Sequence, residues 1–359
     1  MSEKILIVVS ELQNGGAQRV ASRIAGGMAD LGAEVHLMEL FHPPVCFPLS
    51  GNVILHKMCE NEQTYREMNQ TERQKRIRQM VLEIAPNVIL PFLDHVCQKV
   101  LLACVGTCYY KRIVTTLRNS PYEYSGVKRL VRDLFIRCSC QLVVQNSSQK
   151  AYFIKRKMNR VAVVPNPVDV PPKEHSYGRS LSKVIAVGRL NQQKNFNMLI
   201  RAFSMAAAHC EAELRIYGRG ECEAELNALI KELGMETRIF LAGYSDDIGR
   251  IYAQSDLFVM SSDYEGMPNA LMEAMAEGLP CISTDCETGP ADLIESRKNG
   301  ILVPIKNEKA MVDAIEQMLA DPTTAINMGR CARETIRENY TLASVSQMWL
   351  DTFRSFGLF

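Results

Sequence analysis

The sequence predicts an α/β protein of two Rossmann-like domains, each with a parallel sheet, facing one another across a cleft. Three observations predict it. The 359 residues exceed one ordinary core and suit two domains of roughly 150 to 200 residues each. Short apolar runs of strand length alternate with amphipathic helical stretches, the pattern of βα units and parallel sheets. One proline-rich, polar stretch from Pro165 to Ser182 interrupts the alternation and has the composition of a linker. The expected divisions are residues 1–168, residues 169–340 and a last helix, 341–359, crossing back to the first domain.

Taken in order, Lys4–Ser10 reads as a buried strand, Glu11–Gly16 as its loop, Ala17–Leu31 as a helix ending near Gly32, and Glu34–Leu40 as the next strand. Phe41–Asn61, with Pro43, Pro44 and Pro48, reads as irregular or as short edge strands. Thr64–Ile84 is expected as one charged helix, followed by strand Val88–Pro91, helix Val96–Gly106 and strand Arg112–Leu117. Tyr122–Ile136 reads as a basic, partly amphipathic helix, Gln141–Val144 as a strand, Ser147–Lys155 as a helix and Val161–Val164 as the strand closing the first domain.

In the second half, strands at Val184–Val187, Leu214–Tyr217, Arg238–Leu241 and Leu257–Met260 alternate with helices at Phe196–His209, Glu221–Leu233 and Asp246–Tyr252. After the segment Ser261–Gly278, the runs Cys281–Thr284, Ala291–Ile294 and Ile301–Val303 continue the alternation. Helices Glu308–Leu319, Thr324–Glu338 and Leu342–Phe353 close the chain, the last carrying its single tryptophan, Trp349.

Composition narrows the class. An apolar fraction of 47% with 23% charged residues is that of a globular protein. No run of about 18 uncharged apolar residues occurs, and the opening MSEKILIVVS enters a strand behind an acidic residue, so neither a spanning helix nor a secretory leader is expected. A cytoplasmic location follows as the expectation. The 12 cysteines have no metal-site or disulfide spacing and read as free thiols; no metal site is expected. Residues 1–168 hold 22 basic and 13 acidic side chains, against 19 and 27 in the remainder. The excess clusters at Lys128, Arg129, Arg132 and Arg137, then at Lys150, Lys155, Arg156, Lys157 and Arg160. Such a half suits an anionic acceptor or the inner face of the plasma membrane, and equally a solvated face. Nucleic acid is not expected, because no recognition motif or aromatic repeat accompanies the charge.

The segment Ser261–Gly278 (SSDYEGMPNALMEAMAEG) joins a buried strand to a helix through a polar turn. Glu265 lies in the turn and Glu273 about 1.5 turns inside the helix, so both can face the carboxyl end of the strand, where open α/β sheets bind ligands. A carboxylate at a helix mouth repels phosphate, so these glutamates read as acceptors for ligand hydroxyls or as ordinary solvated side chains. Cations for a phosphate must come from elsewhere. Arg189 and Lys194, bracketing the turn after the first strand of the second domain, suit a pyrophosphate whose charge grows as a bond to it breaks; two plain surface cations fit the same pattern. Gly15 and Gly16 permit close backbone approach after the first strand. That loop is neither GxGxxG nor a Walker motif.

Read together, GGAQR at 15–19, PNPVD at 165–169, GRLNQQKN at 188–195 and the Glu265–Glu273 pair with seven residues between resemble glycosyltransferase family 4, the group 1 glycosyltransferases. The resemblance covers nearly the whole chain. It implies a GT-B fold and metal-free transfer of a sugar from a nucleotide donor with retention of anomeric configuration, with no cofactor beyond that nucleotide-sugar co-substrate. On matching positions it implies Arg189 and Lys194 on the donor diphosphate and Gly15 and Gly16 approaching it. Glu273 would lie on the ribose, and Gly243 and Tyr244 at the base. Glu265 is implied against the transferred sugar, with Gly266, Met267, Pro268 and Asn269 following it.

Many family members carry a first-domain histidine near the sugar. This chain has Arg118 and Asn119 there instead, resembling members that use UDP-hexoses or UDP-N-acetylhexosamines; His95 is the alternative. The acceptor implied is a saccharide, lipid-linked in cell-surface polysaccharide synthesis. A GT-B epimerase or phosphorylase, or a silent nucleotide-sugar-binding module, remain the competing readings.

Overall fold

The computed structural model describes residues 3–13, 16–43, 48–118, 120–122, 126–178 and 180–359. The chain divides into two compact units, residues 1–167 with 342–359, and residues 168–341.

In the first unit the order is β1 (Lys4–Val9), α1 (Gly16–Asp30), β2 (Glu34–Glu39), β3 (Val53–Lys57), α2 (Glu62–Glu67), α3 (Gln70–Ile84), β4 (Val88–Pro91), α4 (Asp94–Cys104), β5 (Val114–Thr116), α5 (Gly126–Cys138), β6 (Gln141–Val144), α6 (Ser147–Ile154) and β7 (Val161–Val163). Strands β3-β2-β1-β4 form one sheet and β5-β6-β7 another. All their pairings are parallel, and a parallel bridge between Ile89 and Ile113 joins the two. Strand β1, KILIVV, is buried at five of its six positions, as a parallel strand covered on both faces requires.

One predicted helix is two. Residues 64–84 break at Met68, which is extended. The Asn69 side chain accepts the Glu72 N–H at 3.0 Å and starts α3 afresh, while Asn61 caps α2 through the Thr64 N–H at 2.9 Å. An Asn three residues before a Glu is a capping signal strong enough to restart a helix inside a continuous charged stretch.

The second unit continues with β8 (Lys183–Val187), α7 (Phe196–Ala206), β9 (Glu213–Tyr217), α8 (Glu223–Glu232), β10 (Ile239–Gly243), α9 (Ile248–Ala253), β11 (Leu257–Met260), α10 (Asn269–Glu277), β12 (Cys281–Asp285), α11 (Pro290–Leu293), β13 (Ile301–Pro304), α12 (Glu308–Ala320) and α13 (Pro322–Asn339). Its six strands form one sheet in the order β10-β9-β8-β11-β12-β13, all parallel. The run Ala291–Ile294 is a single helical turn opened by Pro290, whose fixed φ suits a first helical position.

The stretch after Pro165, expected as a linker, is strapped down for most of its length. The Val168 N–H donates to Tyr340 O at 2.8 Å, Arg333 donates to Pro171 O, and the Tyr177 hydroxyl donates to Gly278 O at 2.6 Å. Polar composition had concealed these anchors because their partners are backbone carbonyls distant in sequence.

The last helix, α14 (Leu342–Ser355), belongs to the first unit. Trp349, Leu350 and Phe353 are buried in the same apolar cluster as Ile5, Ile7, Leu90 and Phe92. Close approach to α1 depends on Gly27, where an added Cβ would lie 2.2 Å from Ser346 Oγ.

Candidate functional site

The strand order of the second unit reverses direction at β8. The chain runs from β8 through β9 to β10 on one side, then crosses to β11, β12 and β13 on the other. In such a doubly wound sheet the ligand crevice lies outside the carboxyl ends of the strands that flank the reversal, here β8 and β11. The loops leaving those two strands are residues 188–195 and 261–268, the segments that carry Arg189, Lys194 and Glu265.

Their side chains meet. Lys194 Nζ lies 2.6 Å from Glu265 Oε1, with the two side chains only 16% and 8% exposed. Four further hydrogen bonds lock the loops together. Asn195 Nδ2 donates to Asp263 Oδ1 at 2.9 Å, the Asp263 N–H to Gln193 O at 2.9 Å, Gln193 Nε2 to Tyr264 O at 2.8 Å, and Ser261 Oγ to Lys194 O at 2.8 Å. Asn195 has φ +47° and also accepts the Met198 N–H as the cap of α7. The Thr288 hydroxyl donates to Glu265 O from the loop after β12. A charged hydrogen bond in so sheltered a position is strong, and its geometry is fixed by backbone rather than by the flexible lysine stem.

Arg189 is exposed, and among the described residues it makes no ion pair. The site therefore offers one guanidinium fork open to solvent beside an ammonium shared with a carboxylate, the means to hold a diphosphate.

Close packing of the β8 and β9 loops sets where that fork sits. Gly218 has φ +152°, and a Cβ there would lie 1.8 Å from Gly188 O; at Gly220 it would lie 2.2 Å from Leu190 O. Leu190 N–H donates to Arg219 O at 2.9 Å, and Cys222 N–H to Leu190 O at 3.0 Å. The turn Gly218-Arg219-Gly220 thus shapes the Arg189 loop. Arg219 itself lies with its guanidinium 5.7 Å from the Tyr244 ring centroid, and Tyr244 is 62% exposed. Gly243, at φ +73°, accepts the Gly218 N–H at 2.9 Å, so Tyr244 sits on a loop tied to the β9 turn.

Glu273 is held rather than free: the buried Tyr252 hydroxyl lies 3.4 Å from its Oε2 and donates also to Ala270 O at 3.2 Å. Burial raises the Tyr252 pKa well above the ordinary tyrosine value, the Glu273 charge adding to it, so the phenol remains a donor. Gly266 is half-buried, Met267 and Pro268 are buried, and Asn269 opens α10. Asp263, Asn195 and Tyr252 were not among the candidate residues. Only Asn195 had a legible signal, an Asn directly before the apolar periodicity of α7.

In the first unit, Gly16 begins α1 and is exposed; Gly15 and Asn119 lie outside the described residues. Arg118, expected after strand 112–117 on the sugar or acceptor side, is buried, its guanidinium 4.8 Å from the Phe92 centroid and 5.2 Å from that of Trp349, with Nη1 3.3 Å from Asn166 Oδ1. Burial lowers its pKa to about 9. His95, in the first turn of α4, has its pKa lowered by desolvation, with Lys99 adding to the effect.

The fold and the comparisons together define the class. Two units of parallel Rossmann-like topology with the last helix packed on the first constitute the GT-B fold. Anabaena HepE in complex with UDP-glucose superposes with a TM-score of 0.79 at 18% identity, over 98% of this chain and 99% of that one. Residues 175–335 match the family described as glycosyl transferases group 1. The amylovoran biosynthesis glycosyltransferase AmsD of Erwinia amylovora is 26% identical over 92% of this chain and 93% of its own length. The N-acetylgalactosamine-N,N'-diacetylbacillosaminyl-diphospho-undecaprenol 4-alpha-N-acetylgalactosaminyltransferase of Campylobacter jejuni is 35% identical over 38% of this chain and 37% of its own. Residues 175–335 thus match the group 1 glycosyltransferases, and the comparisons support a glycosyltransferase of polysaccharide or glycoconjugate biosynthesis.

If Gly218 permits the loop approach, Gly218→Ala should destabilise the protein by about 1–3 kcal/mol through backbone strain and the displaced Gly188 carbonyl. Urea unfolding followed by circular dichroism measures this, and an unchanged midpoint would contradict it.

Proposed function

We propose that this enzyme transfers a hexose or N-acetylhexosamine from a UDP-sugar to a saccharide acceptor with retention of anomeric configuration and without a metal ion. The acceptor is lipid-linked, in cell-surface polysaccharide synthesis. Residues 168–341 bind the donor, and the unit containing residues 1–167 serves the acceptor. The observation that carries the reading is the part-buried Lys194–Glu265 pair at the reversal of the strand order, beside the exposed Arg189. HepE is described in complex with UDP-glucose, and the Campylobacter relative is named for a diphospho-undecaprenol saccharide; both support the choice of substrates.

In this reading Arg189 and Lys194 bind the diphosphate and take up the charge that grows on it as the bond from anomeric carbon to phosphate oxygen breaks, a role that otherwise falls to a divalent cation. The bonding pair leaves with the phosphate. The acceptor oxygen bonds to the anomeric carbon on the face the phosphate is leaving, and its proton passes to a departing phosphate oxygen. Glu265, held by Lys194, accepts from the sugar hydroxyls and stabilises positive character at the anomeric carbon without forming a covalent intermediate. Glu273 receives the ribose hydroxyls, Tyr252 fixing the carboxylate, while Gly243 and Tyr244 line the base and Gly266 to Asn269 the sugar and phosphate end. Gly16 is assigned to the approach to the diphosphate.

Attachment to an anionic membrane surface is part of the proposal. Helix α5 presents Val127, Leu130, Val131 and Leu134, spaced as one helical stripe and 74%, 68%, 43% and 61% exposed, with Lys128 and Arg137 exposed nearby. An apolar face flanked by cations is the pattern of a helix lying in the headgroup region. Among the described residues no helix is long and apolar enough to cross a membrane.

Glu265→Gln and Lys194→Ala should each lower kcat/KM with the preferred UDP-sugar by about 100-fold or more, while EDTA leaves the wild-type rate unchanged and the product keeps the donor's anomeric configuration by proton NMR. Near-wild-type rates for both variants would refute the assignment. Sedimentation with phosphatidylglycerol vesicles at physiological salt should carry the protein down, and Leu130→Ser with Leu134→Ser should leave it in solution; wild-type protein that stays in solution rules out the membrane surface.

A further inference from the structure

The first unit contains a cavity of about 420 Å³ lined by Leu93, Asp94, His95 and Gln98 at the start of α4, by Arg118 after β5, and by four residues of α5, among them Lys128 and Arg132. Arg118 is the unusual member. Its side chain is buried between Phe92 and Trp349, and its Nε and Nη2 have no hydrogen-bond partner. Its single described bond is from Nη1 to a neutral amide oxygen. Among the described residues no carboxylate lies within ion-pair distance of it. A desolvated cation with two unsatisfied donor atoms is costly unless an anion completes it, and its pKa, depressed to about 9, records that cost.

The surroundings select the kind of anion. Lys128 and Arg132 add positive charge from α5, against the one carboxylate of Asp94, and Arg132 is already engaged with Asp133 and Pro121 O. His95, its pKa lowered, is a neutral hydrogen-bonding group at neutral pH. A planar fork, an ammonium and an imidazole around one cavity match an anion of several oxygens and more than one charge.

We propose that this cavity is a phosphate-binding subsite, taking the phosphate or diphosphate group of the acceptor through Arg118 and Lys128. The proposal rests on the assignment of the first unit to the acceptor. The same chemistry is available from a lipid-carried diphosphate and from a soluble phosphate ester. Both would be fixed by charge at Arg118, so that the acceptor is recognised by its phosphate as well as by its sugar.

The test uses the full chain with Arg189→Ala and Lys194→Ala, which removes diphosphate binding at the donor site. Calorimetric titration with inorganic pyrophosphate at constant ionic strength should show one saturable site. Adding Arg118→Gln should weaken it at least tenfold, and Lys128→Ala, at an exposed position, a few-fold; malonate should bind at least tenfold more weakly than pyrophosphate. Circular dichroism confirms that each variant is folded.

Farnesyl diphosphate binding at least tenfold more tightly than pyrophosphate, with the gain lost in Leu130→Ser, identifies a lipid-carried group. Equal binding of sn-glycerol 3-phosphate and farnesyl diphosphate identifies a soluble one. Absence of pyrophosphate binding, undiminished binding in Arg118→Gln with Lys128→Ala, or equal binding of malonate overturns the proposal. UDP titrated into a chain with Arg189 and Lys194 intact and Arg118→Gln should bind as in wild type. If UDP binds neither protein, the donor assignment fails, while the pyrophosphate result still decides this one.

Discussion

A lysine and a glutamate 71 positions apart meet because two loops leave adjacent parallel strands where the sheet reverses its order. The rest of the second unit can be understood from that contact. Burying two charges costs several kcal/mol per ion, which their attraction offsets only when the geometry is good and the remaining valences are satisfied. Here Asn195, Asp263, Gln193, Ser261 and Thr288 fix the backbone on both sides of the pair. An ion pair held this way is pre-organised for a charged ligand, because little rearrangement is needed when a phosphate takes a share of the ammonium.

The constraint propagates through the sheet. The β8 loop can reach the β11 loop only if it also accepts the β9 turn pressed against it, and that turn tolerates no side chain at Gly218 or Gly220. From the β9 turn the chain of contacts runs to Gly243 and Tyr244 on one side. On the other, Thr288 joins the β12 loop to Glu265. Five loops at one edge of one sheet are thus coupled by hydrogen bonds and close backbone contacts, while the apolar strands beneath them supply a rigid base.

The strands were legible in the sequence because nearly every one is a continuous apolar run, and Gln141–Val144 and Leu257–Met260 match the structure residue for residue. Both units and the change between them were legible from the alternation and the prolines. Local capping chemistry was less so: Asn69 restarts a helix that periodicity alone carries through. The residues on the β8 and β11 loops were singled out by type and by loop position, but their pairing depends on strand order, which no local pattern encodes. The burial of Arg118 was not legible for a related reason. An arginine at a strand end looks exposed until Trp349, from the far end of the chain, is seen to cover it.

In the function proposed above, Lys194 and Arg189 receive a nucleotide diphosphate at the β8–β11 reversal, with Glu265 toward the sugar. The most direct test is a crystal structure of the enzyme with UDP and the sugar of its preferred donor. Diphosphate oxygens are expected within about 3 Å of Lys194 Nζ and of the Arg189 guanidinium, and a sugar hydroxyl on the Glu265 carboxylate. A diphosphate bound elsewhere, with the Lys194–Glu265 pair closed and untouched by ligand, would contradict it.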